Sequence, residues 1–252
     1  MDCSPLKKLP PELRKSIYEY ILCEHEEIHL SVKESISLLK SLRPENKDGG
    51  ALDCNLGITV ACKEVRHESV GLFFAKNSFI VHADVMDWAT SFTGCADLKA
   101  KTRMAVLILR GWLHSLGDNV RLLQSVEITL GQWDASESVE AGPQFVLEAI
   151  KHFNAAFRGI PIKPTIAVEV IWSMFWTWEG NKGSSPIKLP LPSLRLCRSA
   201  VEKAHNDAIS RIALETDVGM AKYYTEELSG FHKELSALLS ELESSGVARA
   251  GD

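Results

Sequence analysis

Apolar residues recur at helical spacing near the start of the chain. Between residues 9 and 22 the spacing of Leu13, Ile17, Tyr20 and Ile21 predicts a helix. The same 3.6-residue pattern predicts further helices over residues 56–73, 105–116, 143–157 and 220–242, and Asp84 is a candidate N-cap for a short one. Alternation predicts strands over residues 27–32, 125–130 and 165–172, and residues 78–81 are predicted to form a strand after the break at residues 75–78. Loops are predicted over residues 41–50 and 179–195, where Pro, Gly and Ser are frequent.

The order of these elements predicts the fold class. A strand over 125–130, a helix over 143–157 and a strand over 165–172 are typical of a right-handed crossover between two parallel strands. We therefore expect an α/β fold with a small mixed sheet, and α+β is the alternative. The predicted organisation is a body over residues 1–178, a connection over 179–195 and a helical segment over 196–252.

The predicted C-terminal helix has an apolar seam in alternating steps of four and three residues. Its members are Met220, Tyr224, Leu228, Phe231, Leu235, Leu238 and Leu242. Such a seam forms either the core face of a helix packed on its own domain or one strand of a coiled-coil dimer. The seam is short and contains Gly230, which favours packing on the chain's own body.

Composition excludes several classes of function. The chain has 252 residues, 45% of them hydrophobic, and a net charge of -5, so binding to nucleic acid or to an anionic membrane is not expected. The longest apolar run, Met104 to Leu109, is too short to cross a bilayer, and the first residues contain no signal-like apolar region. Six scattered cysteines without a Cys-x-x-Cys pair favour an intracellular protein, cytoplasmic or nuclear, with reduced thiols.

The stretch "HEEIH" has the spacing of a zinc-hydrolase motif. In a helix, His25 and His29 would face one metal ion and Glu26 would act as general base. The surroundings are acidic, however, and a third ligand at the expected spacing is missing because position 35 is Ser35. A zinc-dependent hydrolase is therefore the alternative function, and an extended conformation of residues 24–30 would argue against it.

No other catalytic signature is present in the sequence. There is no Gly-x-Ser-x-Gly elbow, no phosphate-binding loop and no dinucleotide-binding turn, so no catalytic residue and no cofactor are predicted. His67, His114, His152 and His232 fall on predicted helices and are expected at the surface or half-buried. The aromatic cluster Trp172 to Trp178 contains no basic residue, which favours packing over base stacking.

Two segments resemble a known family. They are "LPPELRKSIYEYIL", from Leu9 to Leu22, and "VACKEVRHESVGLFFAKNSFIV", from Val60 to Val81. Together they resemble the fungal F-box-like domain proteins that carry two E-x-R signatures, here Glu12-Leu13-Arg14 and Glu64-Val65-Arg66. The resemblance covers about the first half of the chain well and the rest loosely.

The resemblance implies a non-catalytic module for protein–protein interaction, an adaptor or scaffold linked to ubiquitin-ligase assembly. The expected partner is a ligase adaptor protein, and the oligomeric state is left open. The candidate contact residues on the first helix are Leu9, Pro10, Leu13, Ile17 and Tyr18. The charges of the two signatures are expected to pair and to fix how the helices meet; they are Arg14, Glu64, Arg66 and Glu68.

Overall fold

The computed structural model of this chain describes most of its length. The described residues are 5–22, 27–33, 41–45, 63–86, 95–134, 141–160, 162–172, 183–191, 193–215 and 218–244. The α-helices in these ranges are α1 (Pro11–Leu22), α2 (Lys63–Lys76), α3 (Cys95–Ser115), α4 (Ala141–Ala156), α5 (Leu194–Glu215) and α6 (Val218–Ser244). The strands are β1 (Ile28–Lys33), β2 (Ser41–Glu45), β3 (Ser78–Met86), β4 (Ser125–Asp134), β5 (Thr165–Trp172) and β6 (Gly183–Pro190).

The strands form one mixed, six-stranded sheet in the order β2-β1-β3-β4-β5-β6. The four inner strands are parallel, and each edge strand is antiparallel to its neighbour. The predicted parallel pairing of the strand after Ser125 with the strand after Thr165 is confirmed, since Ile128 lies opposite Ile166. The α/β class with helical crossovers is the observed fold class.

One face of the sheet packs against helices. β3, β4 and β5 lie side by side in chain order. Crossovers between parallel strands are right-handed as a rule, so connections that step in one direction are expected to place their helices on one face. Burial agrees, because alternate strand residues belong to a single core together with residues of all the crossover helices. These strand residues are Ile28, Leu30, Phe79, Val81, Val126, Ile128, Leu130, Ile166, Val168, Val170, Ile187 and Leu189. The opposite face carries polar side chains, among them an ion pair between Glu127 and Lys188 at 2.7 Å.

The sequence of β4 and α4 explains why these elements form. Val126, Ile128 and Leu130 of β4 point into the core, and the residues between them are polar, as expected for a strand with one buried face. α4 is followed by Gly159 at φ 79°, a left-handed conformation that ordinary residues avoid. The predicted end of this helix is confirmed.

The two C-terminal helices pack on the body of the same chain. Tyr224, Leu228, Phe231 and Leu235 of the predicted seam are buried in the core shared with the sheet. Leu239, which the predicted seam did not include, is buried, whereas the predicted seam residue Leu238 is only partly buried. The seam is therefore filled within the chain and does not need a second copy.

Three sequence predictions about local structure are wrong. Residues 41–45 form β2 and not a loop, and Gly183–Pro190 form β6 within the stretch predicted as a connection. Asp84 lies inside β3, so it does not cap a helix. β2 and β6 are edge strands, where proline is tolerated because one row of N–H groups needs no partner within the sheet.

Candidate functional site

The first helix is fixed to the body along one side. Tyr18 is 1% exposed and Leu22 is also buried, so both side chains belong to the core. At the end of α1 the Asn77 side chain donates hydrogen bonds to the carbonyl oxygens of Leu22 and Phe73, each at 2.8 Å. These contacts hold α1 against the C-terminal end of α2.

A bidentate ion pair makes a second connection between α1 and α2. Arg14 Nε and Nη2 donate to the two carboxylate oxygens of Glu68 at 3.1 and 2.9 Å. Arg14 Nη1 also donates to the carbonyl oxygen of Leu9 at 2.9 Å. Because these hydrogen bonds favour the charged forms, the pKa of Glu68 is lowered and that of Arg14 is raised. The structure thus brings together one cation and one anion of the two E-x-R segments.

The other side of α1 exposes an apolar stripe. Pro10, Leu13, Ile17 and Tyr20 follow one another in steps of three or four residues, so they lie on one face; we call them the α1 stripe. Leu13 is 53% exposed and Tyr20 is 88% exposed, and Ile17 is partly buried. Because the opposite side of α1 is attached to the body, this stripe is left at the surface.

The candidate contact residues divide between surface and core. Pro10, Leu13 and Ile17 lie on the α1 stripe, whereas Leu9 is half-buried behind it. Tyr18 is buried and cannot offer its side chain to a partner, because residues 18 and 20 lie on nearly opposite faces of a helix. The sequence analysis did not include Tyr20 among the candidate contact residues, although Tyr20 is at helical spacing from Leu13 and Ile17 and is more exposed than either.

The remaining signature charges do not all join the ion pair. Glu68 has the largest effect in raising the pKa of Arg14, and Glu64 lies close enough to add a smaller effect in the same direction. Arg66 is exposed on another face of α2, where it lines a cavity with Lys63, His67, Val70 and Asn119. Arg66 therefore does not fix how α1 and α2 meet.

The zinc-motif residue His29 lies in a strand. His25 and Glu26 lie outside the described residues. His29 lies in β1, so the segment from His25 to His29 is not the continuous helix that the zinc motif requires. The ring nitrogen Nδ1 of His29 is 2.7 Å from Nε2 of His82 on β3, and the two rings stack. Within the described ranges, no three His, Cys, Asp or Glu residues are grouped as a metal site requires.

The described part of the Trp172–Trp178 cluster is the backbone of Trp172 at the end of β5, and residues 173–178 lie outside the described ranges.

Among the helices that the structure describes, none is both long and apolar enough to cross a bilayer.

Comparison with known proteins gives no match. No protein-family model, no curated protein and no solved structure matches this chain. The resemblance to fungal F-box-like proteins stays a prediction that rests on the segments from Leu9 to Leu22 and from Val60 to Val81.

Proposed function

We propose that this chain is an intracellular, non-catalytic protein–protein interaction module of F-box-like type, an adaptor or scaffold. Its partner in this proposal is the adaptor protein of a ubiquitin ligase. The observation that carries the proposal is the α1 stripe, with Leu13 and Tyr20 exposed on a helix whose other face is anchored.

Physical considerations support this use of the stripe. A helix that presents apolar side chains at positions i, i+4 and i+7, as Leu13, Ile17 and Tyr20 do, fits a hydrophobic groove of a partner. Tyrosine is enriched among the residues that dominate binding energy. Because α1 is held by buried side chains and by the Arg14–Glu68 pair, little ordering of the helix is needed on binding.

The direct test is a pull-down and affinity measurement with the purified ligase adaptor. We expect Leu13→Ala combined with Tyr20→Ala to weaken binding by about tenfold or more, since each side chain would lose buried apolar contact worth roughly 1 kcal/mol. Leu107→Ala combined with Leu196→Ala is the matched control, because both leucines are more than half exposed on other helices.

Two outcomes would contradict the proposal at different levels. If the intact protein binds no ligase adaptor, the ubiquitin-ligase assignment is wrong and only a general interaction module is left. A photo-crosslinking residue placed at position 20, compared with one at position 107, then tests the stripe itself in cells. Equal crosslinking from both positions would exclude the α1 stripe as the contact surface.

A further inference from the structure

Three basic residues of α2 line one cavity. Lys63, Arg66 and His67 are spaced by three and four residues, so they share a face of the helix, and all three are exposed. Asn119, in the 3-10 turn after α3, and Val70 complete a cavity of about 280 Å³. Within the described ranges, none of the three basic side chains forms a hydrogen bond or an ion pair.

This arrangement is unfavourable for the isolated chain. The cations Lys63 and Arg66, three residues apart, repel one another, and a cation at the first residue of α2 opposes the helix dipole. The chain as a whole is acidic, with a net charge of -5, so a general excess of basic residues does not explain the cluster.

One neighbouring carboxylate of α2 is engaged with α1. Glu68 forms the bidentate pair with Arg14, although His67 lies near enough to help lower the pKa of Glu68. The field of Glu64 acts on Arg14. Among the described residues, Lys63 and Arg66 therefore have no ion pair that a ligand would have to break.

We propose that this cavity binds a phosphomonoester group, with Lys63 and Arg66 as the charged ligands and His67 and Asn119 as further hydrogen-bond donors. A phosphomonoester carries close to two negative charges near neutral pH and offers three acceptor oxygens. The arginine fork matches two of these oxygens, and the lysine adds a mobile point charge. Asn119 donates to the carbonyl oxygen of Leu116 at 3.2 Å and keeps a second amide hydrogen for the ligand.

The size of the cavity favours a small group over a large cofactor. Its volume of about 280 Å³ lies just below the range of ligand pockets, roughly 300 to 1,000 Å³. A free phosphate and the phosphoserine of a protein present the same chemistry here. None of the residues of the α1 stripe lines the cavity, so this inference does not rest on the proposed function.

Isothermal titration calorimetry at constant ionic strength tests the proposal. The probes are inorganic phosphate, a phosphoserine peptide and the same peptide without phosphate. We expect saturable binding of one phosphate group per chain, weakened at least about tenfold by Lys63→Gln combined with Arg66→Gln. Lys203→Gln combined with Arg195→Gln removes two exposed basic residues of α5 and is expected to leave binding unchanged.

Each outcome has a defined meaning. Saturation by inorganic phosphate with no gain from the peptide supports a small-molecule source, and tighter binding of the phosphorylated peptide supports a phosphoprotein. Absence of saturable binding for both phosphate probes overturns the proposal, and so does equal binding by the Lys63/Arg66 variant. Far-ultraviolet circular dichroism of each variant checks that the fold is intact. If the α1 stripe does not bind a partner, the phosphate-binding results are unaffected.

Discussion

At the scale of single residues, two histidines meet between α5 and α6. His232 is 2% exposed, its Nδ1 donates to the Leu228 carbonyl oxygen at 2.7 Å, and its ring lies 5.0 Å from that of His205. Within the described ranges, His232 Nε2 and His205 Nδ1 are buried without a hydrogen-bond partner. The expectation of a surface or half-buried His232 is therefore wrong, because the residue borders the apolar seam of α6.

Burial should make the stability of the protein depend on pH. Desolvation lowers the pKa of His232 to about 4, with a smaller effect from His205, and it also lowers the pKa of His205. An unfolded histidine has a pKa of about 6.5. Between about pH 6.5 and pH 4 the unfolded chain therefore binds protons that the native chain does not bind. The free energy of unfolding should fall as the pH is lowered through this window.

The variant His232→Phe tests this linkage by urea denaturation at pH 7 and pH 5. We expect the loss of stability between these two pH values to be smaller in the variant than in the wild type, by about 2 kcal/mol. His114→Phe, at an exposed position of α3, should keep the wild-type pH dependence. An unchanged pH dependence in the His232 variant would mean that this residue does not titrate as inferred.

At the scale of elements, the start of α4 is wedged between β4 and α6. A Cβ atom added at Gly142 would lie 2.5 Å from Cε2 of Trp133 and 2.8 Å from Cε2 of Phe231. These distances are shorter than side-chain contacts allow, so the absence of a side chain at Gly142 sets how closely α4 approaches the sheet. The sequence pattern placed the start of this helix at Pro143 and gave no sign of the contact.

We expect Gly142→Ala to lower the free energy of unfolding by roughly 1 to 3 kcal/mol, because Trp133 or Phe231 must move. The matched control is Gly111→Ala in α3, where nothing lies within 4 Å of the added atom. That change should raise stability by up to about 1 kcal/mol through helix propensity. Chemical denaturation of both variants measures the difference, and equal stability of the two would refute the wedge.

At the scale of the whole molecule, one core joins the sheet to the C-terminal helices. Leu235 of α6 is fully buried in the same cluster as residues of α4 and β5. α5 also attaches to the edge of the sheet, since the thiol of Cys197 donates to the Pro190 carbonyl oxygen at 3.4 Å and burial raises the pKa of that thiol to about 12. We therefore expect the C-terminal helices and the sheet to unfold together.

The variant Leu235→Ala should lower the free energy of unfolding by about 2 to 5 kcal/mol, through lost burial and the cavity left behind. Leu196→Ala, at a residue of α5 that is 55% exposed, should stay within about 0.5 kcal/mol of the wild type. Tryptophan fluorescence and circular dichroism should report coincident transitions for all three proteins. An early helical transition in circular dichroism would show that α5 and α6 unfold separately from the sheet.

The sequence by itself determined the elements whose apolar periodicity is strong. The strands after Ser125 and Thr165, their parallel pairing, the helix between them and the C-terminal seam follow from alternation and helical spacing. Arg14 and Glu68 were two of the four charges, with Glu64 and Arg66, that were expected from the sequence to pair, without assignment of which pairs with which. The strands, the helix and the seam are local or connect elements that are close in the chain, whereas Arg14 and Glu68 lie 54 residues apart and their pairing was expected from the resemblance.

Only the tertiary structure decided the features that depend on which distant segment a residue or strand packs against. β2 and β6 contain proline, so their sequences indicate loops, and pairing along the two edges of the sheet makes them strands. The apolar periodicity of α1 cannot say which face meets the core, and packing buried Tyr18 while exposing Leu13 and Tyr20. Likewise, the fold separates Arg66 from Arg14 and sets it beside Lys63 and Asn119. The physical reason is the same in each case: the surroundings of a residue are supplied by segments that are distant in the chain.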